Sequence, residues 1–240
     1  MVHHDPAAIR PAWTRRRDRP RRVLLLIDIS GSMKRETDDY LRFAHALTQA
    51  LPAVETFSFG TRLTRLTPSL RHKDLDRALA EIAPSVADWQ GGTRIGESLA
   101  RFLAIPRFAR ASRGALVVVL SDGLERGGPD EMARAVRRLA ARSWRLAWLT
   151  PLAADPDFRP ETAALKAILG IVDHLGVGAG IGVLCDFMEG SARLGAAPPA
   201  TGRRGGQHGN ADHRRASSHL AAGRPALADR TDGAADLRAL

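Results

Sequence analysis

The stretch VLLLIDISGS, residues 23–32, decides the fold of this chain. From Val23 to Ile29 it is a nearly continuous apolar run that only Asp28 interrupts. Such a run is typical of a parallel strand that other elements cover on both faces. The turn that follows places Gly31, which permits a tight bend, between two serines. The stretch therefore predicts a buried strand that ends among oxygen-bearing side chains.

Strands and helices alternate downstream of this stretch. Apolar residues recur at helical spacing from Thr37 to Leu51, where Pro52 ends the run. Further strands are predicted at 54–60, 115–123, 145–151 and 171–175, and further helices at 75–82, 95–103, 129–142, 160–169 and 183–189. Alternation with short links predicts an α/β fold, a Rossmann-like doubly wound sheet of mainly parallel strands.

The two flanks differ from the predicted domain in composition. The chain of 240 residues has a net charge of +10, and its excess of arginine lies in the flanks. Residues 1–22 hold seven Arg against two Asp, and the end of the chain is rich in Ala, Gly and Arg. Such segments bury too little apolar surface to offset their ordering entropy. We expect a basic disordered arm at 1–22, a folded domain at 23–190 and a disordered tail at 191–240.

Composition also bears on compartment and partners. A lone cysteine, Cys185, cannot form an intrachain disulfide, which fits a reducing cytoplasm. Nowhere do about 18 apolar residues run together, so a membrane span is not expected. The basic flanks lack aromatic stacking residues apart from Trp13, which makes nucleic acid a poor candidate partner.

Three loops of the predicted sheet carry oxygen-bearing side chains. They are Asp28, Ser30 and Ser32 after the first strand, Thr93 after the glycine pair at 91–92, and Asp122 at the end of the strand at 115–123. Ligands of open α/β sheets bind outside the carboxyl ends of the strands, where the strand order reverses. We therefore expect the three loops to converge on one site.

The five side chains favour a particular class of metal. Two carboxylates and three hydroxyls, without imidazole or thiolate, favour Mg²⁺ or a similar hard cation such as Mn²⁺ over zinc or copper. Magnesium usually keeps several waters in its coordination shell. A carboxylate of a partner protein can replace one of them, so the predicted activity is metal-dependent protein binding.

The motifs DISGS, GGT and SDG, in this order, resemble the metal-ion-dependent adhesion site of von Willebrand factor A (VWA) domains. The resemblance implies that Ser30, Ser32 and Thr93 are direct or nearly direct ligands, and that Asp28 and Asp122 act directly or through water. Longer strings resemble a narrower family, the CoxE-like proteins encoded with carbon monoxide dehydrogenase. They are FGTRLTRLTP (59–68), DWQGGTRIGESL (88–99), GALVVVLSDG, WLTPL (148–152) and VDHL (172–175).

The narrower resemblance implies a role beside a MoxR-type AAA+ ATPase. The expected task is maturation or metal-centre assembly of a molybdenum hydroxylase client. A few positions depart from the family pattern: Gln90 where Ser is usual, Leu124-Glu125 where Trp-Asp is usual, and Thr150 where Asn is usual. None is a predicted cation ligand, so the departures bear on the client and not on the site.

Four residues of these strings are candidates for partner binding. Arg62, Arg65 and Arg94 could bind an acidic partner, and a solvated or salt-bridged face is the alternative. Trp89 could anchor an interface or pack at the edge of the core.

Two other functions are alternatives to the adaptor. A metal-dependent hydrolase or phosphatase could use the same carboxylates, but position 30 is Ser where an aspartyl phosphatase has its second Asp. The chain also has no Walker loop or nucleophile elbow. A generic VWA interaction module unrelated to carbon monoxide dehydrogenase is the other alternative. We expect a binding protein and not an enzyme.

Overall fold

One sheet of six strands, in the order β3-β2-β1-β4-β5-β6, forms the centre of the computed structural model, which describes residues 21–86 and 94–196. The strands are β1 (Val23–Asp28), β2 (Val54–Phe59), β3 (Leu63–Arg65), β4 (Leu116–Leu120), β5 (Arg145–Thr150) and β6 (His174–Val177). All neighbours pair in parallel except β2 and β3, which are antiparallel. The doubly wound, mainly parallel α/β class is confirmed.

Helices cover both faces of this sheet. They are α1 (Thr37–Ala50), α2 (Thr67–Leu70), α3 (Leu75–Val86), α4 (Ile95–Ala104), α5 (Pro106–Ala109), α6 (Pro129–Ala140), α7 (Ala163–Ile168) and α8 (Ile181–Ala196). Leu25 and Ile27 pack in the core that includes α1 and α8 residues, while Leu24 and Leu26 pack in the core with α4 and α6. Since successive side chains of a strand point to opposite faces, an unbroken apolar run satisfies both cores.

The position of β1 explains where a site can form. The chain leaves β1 to build β2 on one side, and later returns to build β4 on its other side. This reversal opens a crevice at the carboxyl ends of β1 and β4. Asp28 is the last residue of β1, and Ser121 directly follows β4.

Several elements differ from the sequence prediction. The edge strand β3 and the short helices α2 and α5 were not predicted. The sixth strand lies at 174–177 and not at 171–175, because Val172 still donates its backbone N–H to the Ile168 carbonyl oxygen at the end of α7. Helix α8 begins earlier than predicted and continues past residue 190, the predicted end of the domain.

The two predicted disordered flanks fall almost wholly outside the described residues. Arg21 and Arg22 are described, and the Arg21 guanidinium lies 3.8 Å from the centre of the Trp144 ring. Within the described residues, no helix has both the length and the apolar character needed to cross a membrane.

Candidate metal centre

The first loop of the site follows β1 and holds a buried carboxylate. Asp28 is fully buried; its Oδ1 accepts a hydrogen bond from the Ser30 backbone N–H at 3.0 Å. The hydroxyls of Ser30 and Ser32 lie 3.0 Å apart. Ser30 is almost fully buried, whereas Ser32 is exposed. The loop therefore presents a carboxylate and two hydroxyls along a path from the core to the surface.

The second loop follows β4 and orients the first. The Ser121 hydroxyl donates to Asp28 Oδ2 at 2.7 Å and accepts from the Gly123 backbone N–H at 3.1 Å. Asp122 is also buried, and its Oδ1 accepts from the Leu124 N–H at 2.9 Å. Ser121 thus connects two loops that are 93 residues apart in sequence.

Strand β5 and helix α7 fix the second loop from behind. The Trp148 indole N–H donates to the Ser121 carbonyl oxygen at 3.1 Å, in a fully buried contact. Gly123 has a φ of 73°, and a Cβ there would collide with the Leu165 side chain. A glycine is therefore required where the chain turns away from Asp122.

The buried acidic groups of the site favour a positive charge close to them. The pKa of Asp28 is raised to about 6, because burial and the charge of Asp122 raise it by more than the hydrogen bonds from Ser121 and Ser30 lower it. Burial also raises the pKa of Tyr40, and the charges of Glu36, Asp122 and Asp28 raise it further. The buried Tyr40 hydroxyl has no hydrogen-bond partner among the described residues. Buried carboxylates that repel one another are costly unless a cation offsets their charge.

The third predicted loop lies mostly outside the described residues. Thr93 and Trp89 are among the residues that the structure does not describe. The start of the following helix is described: the Gly96 backbone N–H donates to Glu125 Oε2 at 2.7 Å. A Cβ on Gly96 would lie 2.6 Å from the Met132 backbone nitrogen, so α4 and α6 are in close contact there. Glu125 thereby fixes the amino end of α4 beside the loop that carries Asp122.

The three predicted partner-binding arginines occupy different environments. Arg65 forms a two-pronged ion pair with Glu55, with Nε and Nη2 each 2.8 Å from a carboxylate oxygen. The exposed Arg94 side chain lies 3.8 Å from the half-buried Glu97 carboxylate. Arg62 is exposed in the turn between β2 and β3. The salt-bridged alternative therefore describes the first two arginines.

Sequence reasoning missed three residues of the site. Ser121 lies inside the SDG motif, so its position after a buried strand could have identified it. Glu125 is a departure from the family pattern, and its bond to the Gly96 N–H gives it a positioning role. Tyr40 gave no local signal, because a Tyr on the buried face of α1 looks like ordinary core packing.

The donor set fits a hard cation. Asp28, Asp122, Ser30 and Ser32 offer two carboxylates and two hydroxyls, which are oxygen ligands of the kind that Mg²⁺ prefers. Within the described residues, no group of three or more His, Cys, Asp or Glu side chains is placed to hold a metal ion. A site built here therefore depends on hydroxyls as well as carboxylates.

A doubly wound sheet with DISGS and SDG at its switch point defines a von Willebrand factor A-type domain. A family model described as "VWA domain containing CoxE-like protein" matches residues 2–178. The chain belongs to this CoxE-like family of VWA domain proteins. No curated protein matches the chain.

Solved structures with a similar fold come from varied sources. BatB from Bacteroides thetaiotaomicron is 18% identical, with a TM-score of 0.47 over 72% of this chain and 98% of that one. An aerotolerance-related membrane protein from Bacteroides fragilis is 17% identical, with a TM-score of 0.43 over 65% and 90%. Proximal thread matrix protein 1 from the mussel byssus, with a zinc-occupied MIDAS motif, is 14% identical, with a TM-score of 0.44 over 70% and 46%. The family assignment rests on the family model and not on these likenesses.

Proposed function

We propose that this protein is a non-enzymatic adaptor that binds a partner protein through a divalent cation at the carboxyl edge of its sheet. The observation that carries the proposal is the burial of Asp28 and Asp122 at the switch point, where the charge of Asp122 raises the pKa of Asp28. A protein retains such a pair where a cation compensates for it.

The ligands in this proposal are Asp28, Ser30, Ser32, Thr93 and Asp122, and the ion is Mg²⁺ or Mn²⁺. When bound, the ion supplies a positive charge and a replaceable water position, which a partner carboxylate can take. Ser121 and the Ser30 N–H orient the Asp28 carboxylate. Glu125 holds the start of α4, which follows the Thr93 loop.

The proposed pathway follows from the family. We propose that the adaptor acts in the cytoplasm beside a MoxR-type AAA+ ATPase, in the maturation of a molybdenum hydroxylase such as carbon monoxide dehydrogenase. Membership of the CoxE-like family supports this assignment. The pathway and the metal site are separable, because a VWA module with another client would use the same five ligands.

Calorimetric titration with MgCl₂ and MnCl₂ tests the metal site. An Asp28→Asn, Asp122→Asn double variant keeps the size of both side chains and removes their charges, so we expect affinity to fall about a hundredfold. The control is Asp157→Asn, which removes one exposed carboxylate elsewhere. Thermal melts in EDTA show whether each variant folds. Wild-type affinity in a folded double variant would overturn the metal site.

A second pair of measurements tests the adaptor role. Pull-down of a purified MoxR-type ATPase should require Mg²⁺ and fail in EDTA or with the double variant. Hydrolysis of p-nitrophenyl phosphate in MgCl₂ should stay at the buffer rate. Turnover that the double variant abolishes would instead establish the hydrolase alternative.

A further inference from the structure

A second concave feature lies at the opposite ends of the parallel strands, which we call the amino edge of the sheet. It is a cleft of about 660 Å³, lined by the starts of β1 and β2 and by the segment around α5. Five strand steps separate Val23, in this cleft, from Asp28, which places the two edges about 16 Å apart. The size falls within the range of about 300–1,000 Å³ that is typical of ligand sites. We call it the arginine cleft, after Arg22, Arg65, Arg71, Arg107 and Arg110.

The arginine cleft carries a large excess of positive charge. Glu55 is the sole acidic residue among its described lining residues, and it is already engaged by Arg65. The other four arginines, Arg22, Arg71, Arg107 and Arg110, make no ion pair with any described residue. Like charges gathered in a concave surface repel one another and attract anions from solution.

Tertiary structure builds this cluster, since its members come from separate segments. Arg22 precedes β1, Arg65 ends β3, and Arg71 follows α2. Arg107 lies in α5 and Arg110 in the turn after it. The backbone of Arg22 is held beside β4, because the Leu116 N–H donates to the Arg22 carbonyl oxygen at 2.9 Å. A charge run along one helix face would be an ordinary solvated surface, but convergence from four separate places in the chain is not.

The floor of the cleft distinguishes among anionic ligands. Phe57 is 1% exposed and meets the Phe108 ring edge-on at 4.7 Å, while the Arg107 guanidinium lies 4.8 Å from the centre of the Phe108 ring. Phe102 also stacks with the Phe108 ring, so among the described lining residues neither phenylalanine offers an open face to a stacking base, as single-stranded nucleic acid would require. The described lining also contains no glycine loop of backbone N–H groups for a phosphate. Arginine guanidinium groups above an apolar floor can bind the carboxylates of a peptide segment whose apolar side chains pack against that floor.

The flanks of this chain are unsuitable occupants by charge. Residues 1–20 hold five Arg against two Asp, and residues 197–240 hold seven Arg against four Asp. Neither flank complements the positive charge of the cleft, whereas an acidic segment of another protein does. We propose that the arginine cleft binds an acidic segment of a partner protein, with its Asp and Glu carboxylates paired to Arg22, Arg71, Arg107 and Arg110. This second interface needs no metal and goes beyond the proposed function.

Fluorescence anisotropy of the full chain with a labelled synthetic peptide tests the proposal. The peptide is rich in Glu and Asp around a central Leu, and EDTA is present throughout. An Arg107→Gln, Arg110→Gln variant should bind about tenfold more weakly or worse. The matched control is Arg134→Gln, Arg138→Gln, which removes the same charge from the exposed face of α6 and should stay within about twofold. Because the basic flanks are identical in both variants, their contribution cancels.

A variant that binds the peptide more tightly than the wild type excludes misfolding as the cause of the change in affinity. Glu55→Gln removes the sole carboxylate among the described lining residues and releases Arg65, so peptide affinity should rise about threefold. Asp28→Asn should bind the peptide as the wild type does, which separates this interface from the metal site.

Three outcomes would overturn the proposal. The first is the absence of peptide binding by the wild type at low ionic strength. The second is an equal loss in the cleft variant and the α6 control, which would assign binding to general charge. The third is tighter binding of a single-stranded oligonucleotide or of tripolyphosphate with the same dependence on Arg107 and Arg110. A Gln and Asn version of the peptide should not bind.

Discussion

The two edges of the sheet present opposite chemistry on one scaffold. At the carboxyl edge, Asp28 and Asp122 are buried and held by hydrogen bonds from Ser121 and backbone N–H groups. At the amino edge, five arginines line an open cleft, and among them only Arg65 forms an ion pair with a described residue. Parallel strands bring all their ends of one kind to the same edge, so each edge can evolve as a separate site. The comparison suggests a preorganised ion site at one end and an adaptable electrostatic surface at the other.

The largest expected effect is on the free energy of unfolding, and it concerns one glycine at each edge. Gly123, at the carboxyl edge, and Gly114, just before β4, have similar φ values of 73° and 65°. A Cβ at 123 would collide with Leu165, whereas nothing lies within 4 Å of a Cβ at 114. Gly123→Ala should lower the free energy of unfolding by about 3 kcal/mol, from backbone strain plus overpacking. Gly114→Ala should lower it by about 1 kcal/mol, from strain alone.

Urea denaturation of both variants in EDTA measures the difference between them. Equal losses would show that the carboxyl edge is no more tightly packed than the amino edge, and would weaken the claim of preorganisation.

The next largest effect is on Mg²⁺ affinity, and it concerns one buried serine at each edge. Ser121→Ala removes the 2.7 Å hydrogen bond to Asp28, so Mg²⁺ affinity should fall about tenfold, as is common when a group that orients a ligand is lost. Ser112→Ala, near the start of β4, removes a buried bond to the Ala109 carbonyl oxygen and should leave Mg²⁺ affinity unchanged. Calorimetry with MgCl₂ provides both values. A loss of affinity in both variants would mean that general destabilisation is the cause.

The smallest effect is electrostatic and belongs to the amino edge. Burial raises the pKa of Glu55, but hydrogen bonds from Arg65 and Thr67 outweigh it, so the net pKa is lowered. A carboxyl whose folded-state pKa is lowered stabilises the protein above its ordinary pKa, and this contribution disappears as the pH falls through the folded-state value. Glu55→Gln should therefore cost up to about 1 kcal/mol at pH 7 and almost nothing in acid.

Urea denaturation of wild type and Glu55→Gln across the acid range measures this dependence. A difference that stays constant with pH would show that packing, and not the ion pair with Arg65, accounts for the contribution of Glu55.

The sequence predicts a strand or helix correctly where the local residue pattern and the tertiary environment favour the same structure. The apolar runs of β1 and β4 predict strands correctly, because both faces of each strand are buried in the structure. Strand β6 has the sequence HLGV, without an apolar run, and it is placed by its pairing with β5 and by the Asp173 side chain, which accepts from the Leu146 N–H at 2.8 Å. Residues 171–172 look more strand-like, yet they belong to the turn after α7.

The sequence by itself determined the fold class and the family, and it placed Asp28, Ser30, Ser32 and Asp122 in the loops at the strand ends. Those features are local, since a buried strand and the polar turn after it are adjacent in the chain. That these four residues and Thr93 bind a metal ion stays a prediction. Tertiary structure alone decided that Ser121 bonds Asp28, that Glu125 holds α4 and that five arginines share one cleft. Such contacts depend on strand order and helix packing, which bring together residues that are distant in sequence, and no local periodicity encodes them.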